Sequence, residues 1–474
     1  MAQRTQSTTA LLWSCVPLGV AATGAVLAFQ SPVAAAVVAA LALAVLAAVL
    51  LRLTALDVLV VLMPINVVVG TSTQVNVSPA DVWLVMMLGG LLFFPTFRLD
   101  QRVRAFLQPL GVCALLFVAV ALLGLSLAAQ RDNGTDALAG VFDTTKVVIG
   151  FVYLAVVATY SARALGRQDY RFLTIWVVAA TSISVVASVG TLVGGPLEFM
   201  TDYSRATGTF ENPNLFASYL YISLGITLAV WVISRKPLLI AALVPQVVAL
   251  ALTGSRAAVL AAVVALTVVV LAALWQRTAR RALVRVAALA IASTLTLLFV
   301  FPALLATPSV DRIGSGWAAA SSDERFGLWR DALDMWEAHP FLGAGVGQYQ
   351  TWEGVGLPPG VAPIAHSTYL SLLAETGVLG IMCFLGIVLP VVVLLVRKVA
   401  RTRDAVSAFL LAGVVGVLAH AFAMNVENSR VFWALLGIST AWALVEPTAQ
   451  TNAADDPVLR PTSRTRTAPG SRGA

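Results

Sequence analysis

The chain has 474 residues, 59% apolar and 11% charged, with a mean hydropathy of +0.89. Soluble domains carry about 45–50% apolar and about 25% charged residues, so this composition excludes a soluble enzyme. The net charge of +7 then records which side the loops face and does not call for a nucleic-acid partner; Cys15, Cys113 and Cys383 all lie in apolar runs, which indicates neither a disulfide framework nor a cysteine metal site.

Apolar runs of membrane-crossing length fall at 11–29, 33–51, 54–70, 80–97, 106–128, 141–161, 172–194, 213–233, 237–253, 256–275, 283–305, 366–396, 405–424 and 430–446. The expectation is an all-α polytopic membrane protein of about 14 transmembrane helices, within a range of about 12–14. The first run lacks a small-residue cleavage site after a short apolar core and reads as a retained span. Pro64, Asn66 and Asp81 interrupt the third and fourth. With the N-terminus in the cytoplasm, the inner side receives 22 of the 30 basic residues and only seven of the 23 acids. That obeys the positive-inside rule and makes both termini cytoplasmic. The chain divides into N-terminal helices (1–199), a transmembrane region (200–446) with an outer loop at 307–365, and a tail (447–474) whose Pro, Thr, Ala and Arg content reads as disordered.

Two outer segments carry the chemistry. In YSRATGTFENPNLFASYL, Arg205 precedes a turn where Asn212 or Asn214 can cap the next helix and Pro213 suits its first turn. Arg256, in TGSRAAVL, stands at the outer start of the next long span; such a residue either pairs structurally, with Asp81 and Asp143 as near-membrane acids, or serves catalysis. The long loop contains the helix SSDERFGLWRDALDMWEAHP, begun by Ser321 or Ser322, favoured by Asp323 and Glu324 near its positive end, and closed by Pro340. Its Phe326, Trp329, Leu333 and Trp336 form an apolar stripe suited to headgroup level. Arg312, Arg325 and Arg330 stand in an otherwise acidic loop, either as loop ion pairs or as functional cations. In FLGAGVGQY, Gly343, Gly345 and Gly347 permit close approach or positive φ, as a plain turn or as an anion nest.

The three histidines are His339, His366 and His420. His366 stands where the loop enters the span at 366–396; free N–H groups there favour a neutral imidazole able to accept a proton, the alternative being a helix cap or interfacial contact. His339 precedes Pro340 and can simply end the loop helix. His420 is expected to be buried, with Asn425 or Glu427 as candidate partners. Their spacing offers no histidine metal site, and no metal or cofactor is expected. Glu375 lies deeper along the same span as His366, where an ionisable group faces the bundle interior and pairs.

The stretches RATGTFENPNLFASYL, SRAAVL, ERFGLWRDALDMWEAHPFLGAGVGQY and AHSTYLSLLAETGVLG, in this order around a large outer loop, resemble the O-antigen ligase and O-antigen polymerase-like family of bacterial envelope proteins. The similarity covers residues 200–425 and departs at Ser367, where asparagine more often follows the histidine. It implies metal-independent transfer of a glycan from a polyprenyl-diphosphate carrier to a glycan or glycolipid hydroxyl at the outer face of the bacterial cytoplasmic membrane. It also implies catalytic roles for Arg205, Arg325 and His366, with Arg256 as a further candidate. A breaking bond to diphosphate gains negative charge that guanidinium groups stabilise, and an imidazole can take the acceptor proton. Around these, Asn212, Asn214, Trp329, His339, Gly343, Gly345, Gly347 and Glu375 are expected to contact substrate or shape its pocket. The expected partners are the lipid-linked donor, the acceptor and membrane lipid, and no nucleic acid. Ligase and polymerase share this donor chemistry, and ligase is the preferred reading. A secondary transporter is the competing class, but the sequence shows no internal repeat and its polar residues gather near the outer face instead of at midplane.

Overall fold

The computed structural model describes residues 53–65, 78–93, 100–131, 137–193, 201–202, 205–275, 321–351, 365–402 and 404–445. The spans expected at 11–29, 33–51 and 283–305, the tail 447–474 and the loop segments 307–320 and 352–364 lie outside these residues.

In chain order the helices are α1 (Ala55–Leu62), α2 (Pro79–Phe93), α3 (Gln101–Arg131), α4 (Ala137–Gly166) and α5 (Arg171–Val193). A short antiparallel pair, β1 (Thr201–Asp202) and β2 (Arg205–Ala206), follows. Then come α6 (Pro213–Ser234), α7 (Leu238–Ala241), α8 (Leu243–Leu252), α9 (Arg256–Trp275), α10 (Ser321–Ala338), α11 (Thr368–Thr402), α12 (Ala405–His420) and α13 (Arg430–Leu444). Among the described residues, α3, α4, α5, α6, α9 and α11 are long and apolar enough to cross a membrane. The helices α2, α12, α13 and the α7–α8 pair are apolar but shorter.

The local signals explain the boundaries. A capping box between Thr54 and Asp57 starts α1. Pro64, which lacks an N–H and disfavours helix in the residue before it, follows its last turn, so the span expected at 54–70 begins as an eight-residue helix. Asp404 accepts from the backbone N–H groups of Val406 and Ser407 to begin α12.

Packing follows the apolar faces. Helix α13 lies along α4, α12 is held between α6 and α9, α11 rests on α3, and α8 packs on α5. Helix α6 is central: 67% of its apolar window is buried inside the protein, against 28% for α3 and α9. The remaining faces of the outer helices expose Leu115, Leu116 and Leu123 on α3 and Leu271 and Leu274 on α9, as lipid contact requires. Gly150 on α4 leaves the space that the Trp433 indole of α13 occupies, which lets these two helices approach closely.

Polar contacts join residues that the charge pattern assigns to the same side. Trp442 donates to Asp404 at 2.7 Å, Arg102 reaches the Leu444 carbonyl, and Arg171 lies 3.9 Å from Asp57. At the predicted outer end, Arg430 Nε lies 2.7 and 2.9 Å from the two oxygens of Asp81, which also accepts from Tyr153 and from Ser78. Asp81, Tyr153, Arg430 and Lys146 line a small cavity of about 40 Å³. Lys146 itself pairs with Asp143 at 2.6 Å.

The Asp81–Arg430 pair is mostly shielded, with side-chain exposures of 14% and 20%. Asp81→Ala leaves a guanidinium without its counter-charge and should cost about 3 kcal/mol, seen as a lower melting temperature of the detergent-purified protein. An unchanged melt would show that the pair does not hold α2 to α13.

Candidate functional site

Arg205 lies in β2, just ahead of α6. Its Nε donates to the Thr253 carbonyl at 2.7 Å and its Nη2 reaches Asn214 Oδ1 at 3.4 Å. The two asparagines therefore divide their work. Asn212 caps α6, accepting from the N–H groups of Asn214 and Leu215 at 3.0 Å each, while Asn214 holds Arg205. Thr253 belongs to the turn that starts α9, whose first residue is Arg256. Arg205, Asn214 and Arg256 are thus gathered where α6 and α9 begin. A hydrogen bond from Thr209 to the Pro64 carbonyl ties this corner to the end of α1.

One turn down α6 from Asn214, Ser218 lies 2.8 Å from His420 Nδ1. His420 is fully buried, and the Tyr221 ring meets it edge-on at 5.7 Å. Its Nε2 has no hydrogen-bond partner among the described residues, and Arg325 of α10 is its electrostatic neighbour. The sequence paired His420 with Asn425 or Glu427. The structure gives it Ser218 instead, because the last turn of α12 faces α6, and Asn425 and Glu427 belong to a second network.

That second network stands at the start of α11. His366 has φ of 48°, in the left-handed region, and its side chain is half-buried. The capping position falls to Ser367, whose Oγ accepts weakly from the Leu370 N–H, so His366 is not itself the helix cap. Thr368 N–H is shared between the carbonyls of Ala421 and Met424, directly after His420. His366 and His420 are therefore joined through one staple between the starts of α11 and the α12–α13 turn.

The glycine-rich loop has a different role from the anion nest. Helix α11 is interrupted at Gly377, with φ 64° and ψ −168°. An interruption frees carbonyls above it and N–H groups below it, and the loop 340–349 supplies both kinds of partner. Ala344 and Gly345 donate to the carbonyls of Ala374 and Glu375 at 2.9 and 3.1 Å. The N–H groups of Val378 and Leu379 donate to the carbonyls of Pro340 and Phe341. The Glu375 carboxylate then accepts from Gly347 and Tyr349 N–H at 3.1 and 3.3 Å. The nest is filled by the protein's own carboxylate, and Gly343 N–H is engaged by the His339 carbonyl. A Cβ on Gly343 would run into the Glu375 backbone, and one on Gly377 into that of Phe341. Gly343, Gly345, Gly347 and Glu375 accordingly belong to the closure of the break in α11.

Helix α10 rests on α11 through Ala332 and Met335, which form a small core with Ala344, Tyr349, Ala365 and Ala374. Tyr349 Oη donates to the Leu328 carbonyl at 2.6 Å, and burial with the nearby Asp331 and Glu375 charges pushes its phenol well up. The aromatic stripe read from the sequence lies away from this core: Phe326 is 60% exposed and Leu333 40% exposed. Trp329 meets Phe326 edge-on, and its indole N–H is buried without a partner among the described residues. His339 lies half-buried just past the end of α10. Asp331 is raised by burial and by Asp334, with Arg330 acting against them. Among the described residues no three His, Cys, Asp or Glu side chains converge as metal ligands.

Residues 241–385 match the family model described as O-Antigen ligase. A comparison with curated proteins gave no match. The matched stretch runs from α8 to the middle of α11 and includes Arg256, Arg325, the glycine loop and His366. Over this region the chain is O-antigen ligase-like. With the apolar helices, the match supports a bacterial membrane protein of polysaccharide biosynthesis, an enzyme of the glycosyl-transfer kind.

If the loop fills the break in α11, Glu375→Gln, which keeps the accepting oxygen, should leave the loop protected from limited proteolysis. Glu375→Ala orphans two N–H groups at a cost of about 1–3 kcal/mol and should expose residues 339–351 to cleavage. Equal protection in both variants would contradict the assignment.

Proposed function

We propose that the protein transfers a glycan from a polyprenyl-diphosphate carrier to the hydroxyl of a glycan or glycolipid acceptor, as a ligase of the O-antigen type working at the outer face of the bacterial cytoplasmic membrane. The observation that carries this reading is the anchoring of Arg205 at the head of α6, on the turn that leads into Arg256. The same corner leads through Ser218 and His420 to Arg325 and His366.

In this reading the acceptor oxygen attacks the anomeric carbon as the bond from that carbon to the diphosphate oxygen breaks. The electron pair of that bond leaves with the diphosphate. Arg205 and Arg325 hold the charge that grows there, with Arg256 as a further contact, because a guanidinium meets phosphate oxygens through paired, charge-assisted hydrogen bonds. The acceptor proton passes to the imidazole of His366, two residues ahead of the start of α11. Arg205 is fixed by its Nε before substrate arrives, so little of its side-chain freedom remains to be lost on binding. The polyprenyl tail stays in lipid beside the exposed apolar faces.

The purified protein, given a lipid-linked glycan and an acceptor, should form free polyprenyl diphosphate and a glycosylated acceptor. Arg205→Ala, Arg325→Ala and His366→Ala should each lower transfer by about 100-fold or more while the protein stays folded. Folded variants with undiminished transfer would overturn the assignment of these residues. A product that grows on the carrier instead of moving to another acceptor would mark the enzyme as a polymerase.

A further inference from the structure

We propose that Glu427 is a positioning residue, a neutral carboxylic acid that holds the start of α11, and with it His366, through Thr368. The inference rests on the reading of His366 as proton acceptor.

The argument begins with counting hydrogens around Thr368 Oγ1. Three groups lie within bonding reach: Glu427 Oε2 at 2.7 Å, the Met424 carbonyl at 3.0 Å and the Val426 N–H at 2.8 Å. A hydroxyl has one hydrogen to give and room to accept two. The Val426 N–H takes one accepting site. If Glu427 were ionised, its oxygen and the Met424 carbonyl, which also accepts from the Thr368 N–H, would share a single hydroxyl hydrogen, and one of these two close O···O contacts would carry none. If Glu427 carries a proton on Oε2, it donates to Oγ1, Oγ1 donates to Met424, and every contact is a hydrogen bond. The other oxygen, Oε1, accepts from Asn425 Nδ2 at 2.9 Å, and the same amide reaches Ser371 Oγ at 2.8 Å. The residue is also fixed by its backbone, whose carbonyl accepts from the Trp433 indole at 2.7 Å.

The surrounding charges agree. Glu427 is 6% exposed. Asp143 on α4 is the acid whose charge acts on it. Of the basic groups around it, Lys146 pairs with Asp143, Arg430 with Asp81, and the His420 ring is bonded to Ser218. His366 lies two residues before Thr368 in the chain. Burial pushes the Glu427 carboxyl up, while the hydrogen bonds from Thr368 and Asn425 work against it.

What this network restrains is the segment Ala365–Thr368. His366 is neither glycine nor asparagine, and its left-handed backbone persists only where its neighbours fix it. Thr368 is the nearest fixed point, held by the Ala421 and Met424 carbonyls through its N–H and by Glu427 through its hydroxyl.

The test compares pH profiles of glycan transfer by the full-length protein in proteoliposomes, with a lipid-linked glycan as donor. A carboxyl raised by burial holds its proton up to its own folded pKa, so the staple is intact at lower pH and weakens as pH rises through that value. The wild type should therefore lose kcat on the alkaline side. Glu427→Ala should lower kcat about tenfold or more with KM little changed. Glu427→Gln, whose amide N–H keeps the donation to Oγ1, should restore most of that loss and remove the alkaline limb. Glu427→Gln as slow as Glu427→Ala, or one that keeps the wild-type alkaline limb, would overturn the inference. The Gln profile can be read even if Glu427→Ala does not fold. An active His366→Ala would instead overturn the reading of His366. An inactive His366→Ala beside an unaltered Glu427→Gln profile would sink only the role of Glu427.

Discussion

A helix inside a bilayer cannot leave backbone groups unpaired, because lipid offers them no water. The break at Gly377 creates such groups in the upper third of α11, the longest apolar helix among the described residues, and the exchange of hydrogen bonds with residues 340–345 repairs it from both sides. The rest of the site hangs on that repair. It fixes α10 against α11 and sets where Arg325 stands. It also leaves the short upper piece, Thr368–Thr376, free to take its direction from the α12–α13 turn and not from the lower helix.

The same economy governs the polar groups at this end. Three charged groups at this end are tied to something specific: Arg205 to Thr253 and Asn214, Asp81 to Arg430 and Tyr153, Glu375 to two N–H groups of the loop. Anchored groups of this kind are what a site that stabilises developing charge needs, since dipoles already in place need not reorganise during the reaction. The buried Nε2 of His420, the indole N–H of Trp329, the Tyr221 hydroxyl and Asn425 Oδ1 stand apart because no described residue satisfies them.

Much of this was legible in the sequence. Long apolar runs announced the helices, Asn-Pro-Asn announced the start of α6, and ERFGLWRD through GAGVGQY announced a loop helix followed by a tight backbone. Periodicity marked the aromatic stripe of α10 but not the face packed on α11, because aromatic residues dominate the pattern while the contact is made by Ala332 and Met335. The glycines were rightly marked for their conformational freedom, but their partner was invisible: pairing a loop with an interrupted helix depends on Gly377, a single residue inside an otherwise apolar run. The partners of His420 and Glu427 were misread for a similar reason. Nearness along the chain pointed to each other, whereas the turn after α12 sends one toward α6 and the other toward α11.

The repaired break also bears on how the protein is made. Residues 340–345 precede α11 in the chain, so the ribosome delivers the patch before it delivers the gap. By the time Val378 and Leu379 emerge, the carbonyls they need have already been synthesised, and α11 never has to wait for a partner still to come. A circular permutation that moved this segment behind α11 would reverse that order while leaving every contact in the finished protein the same.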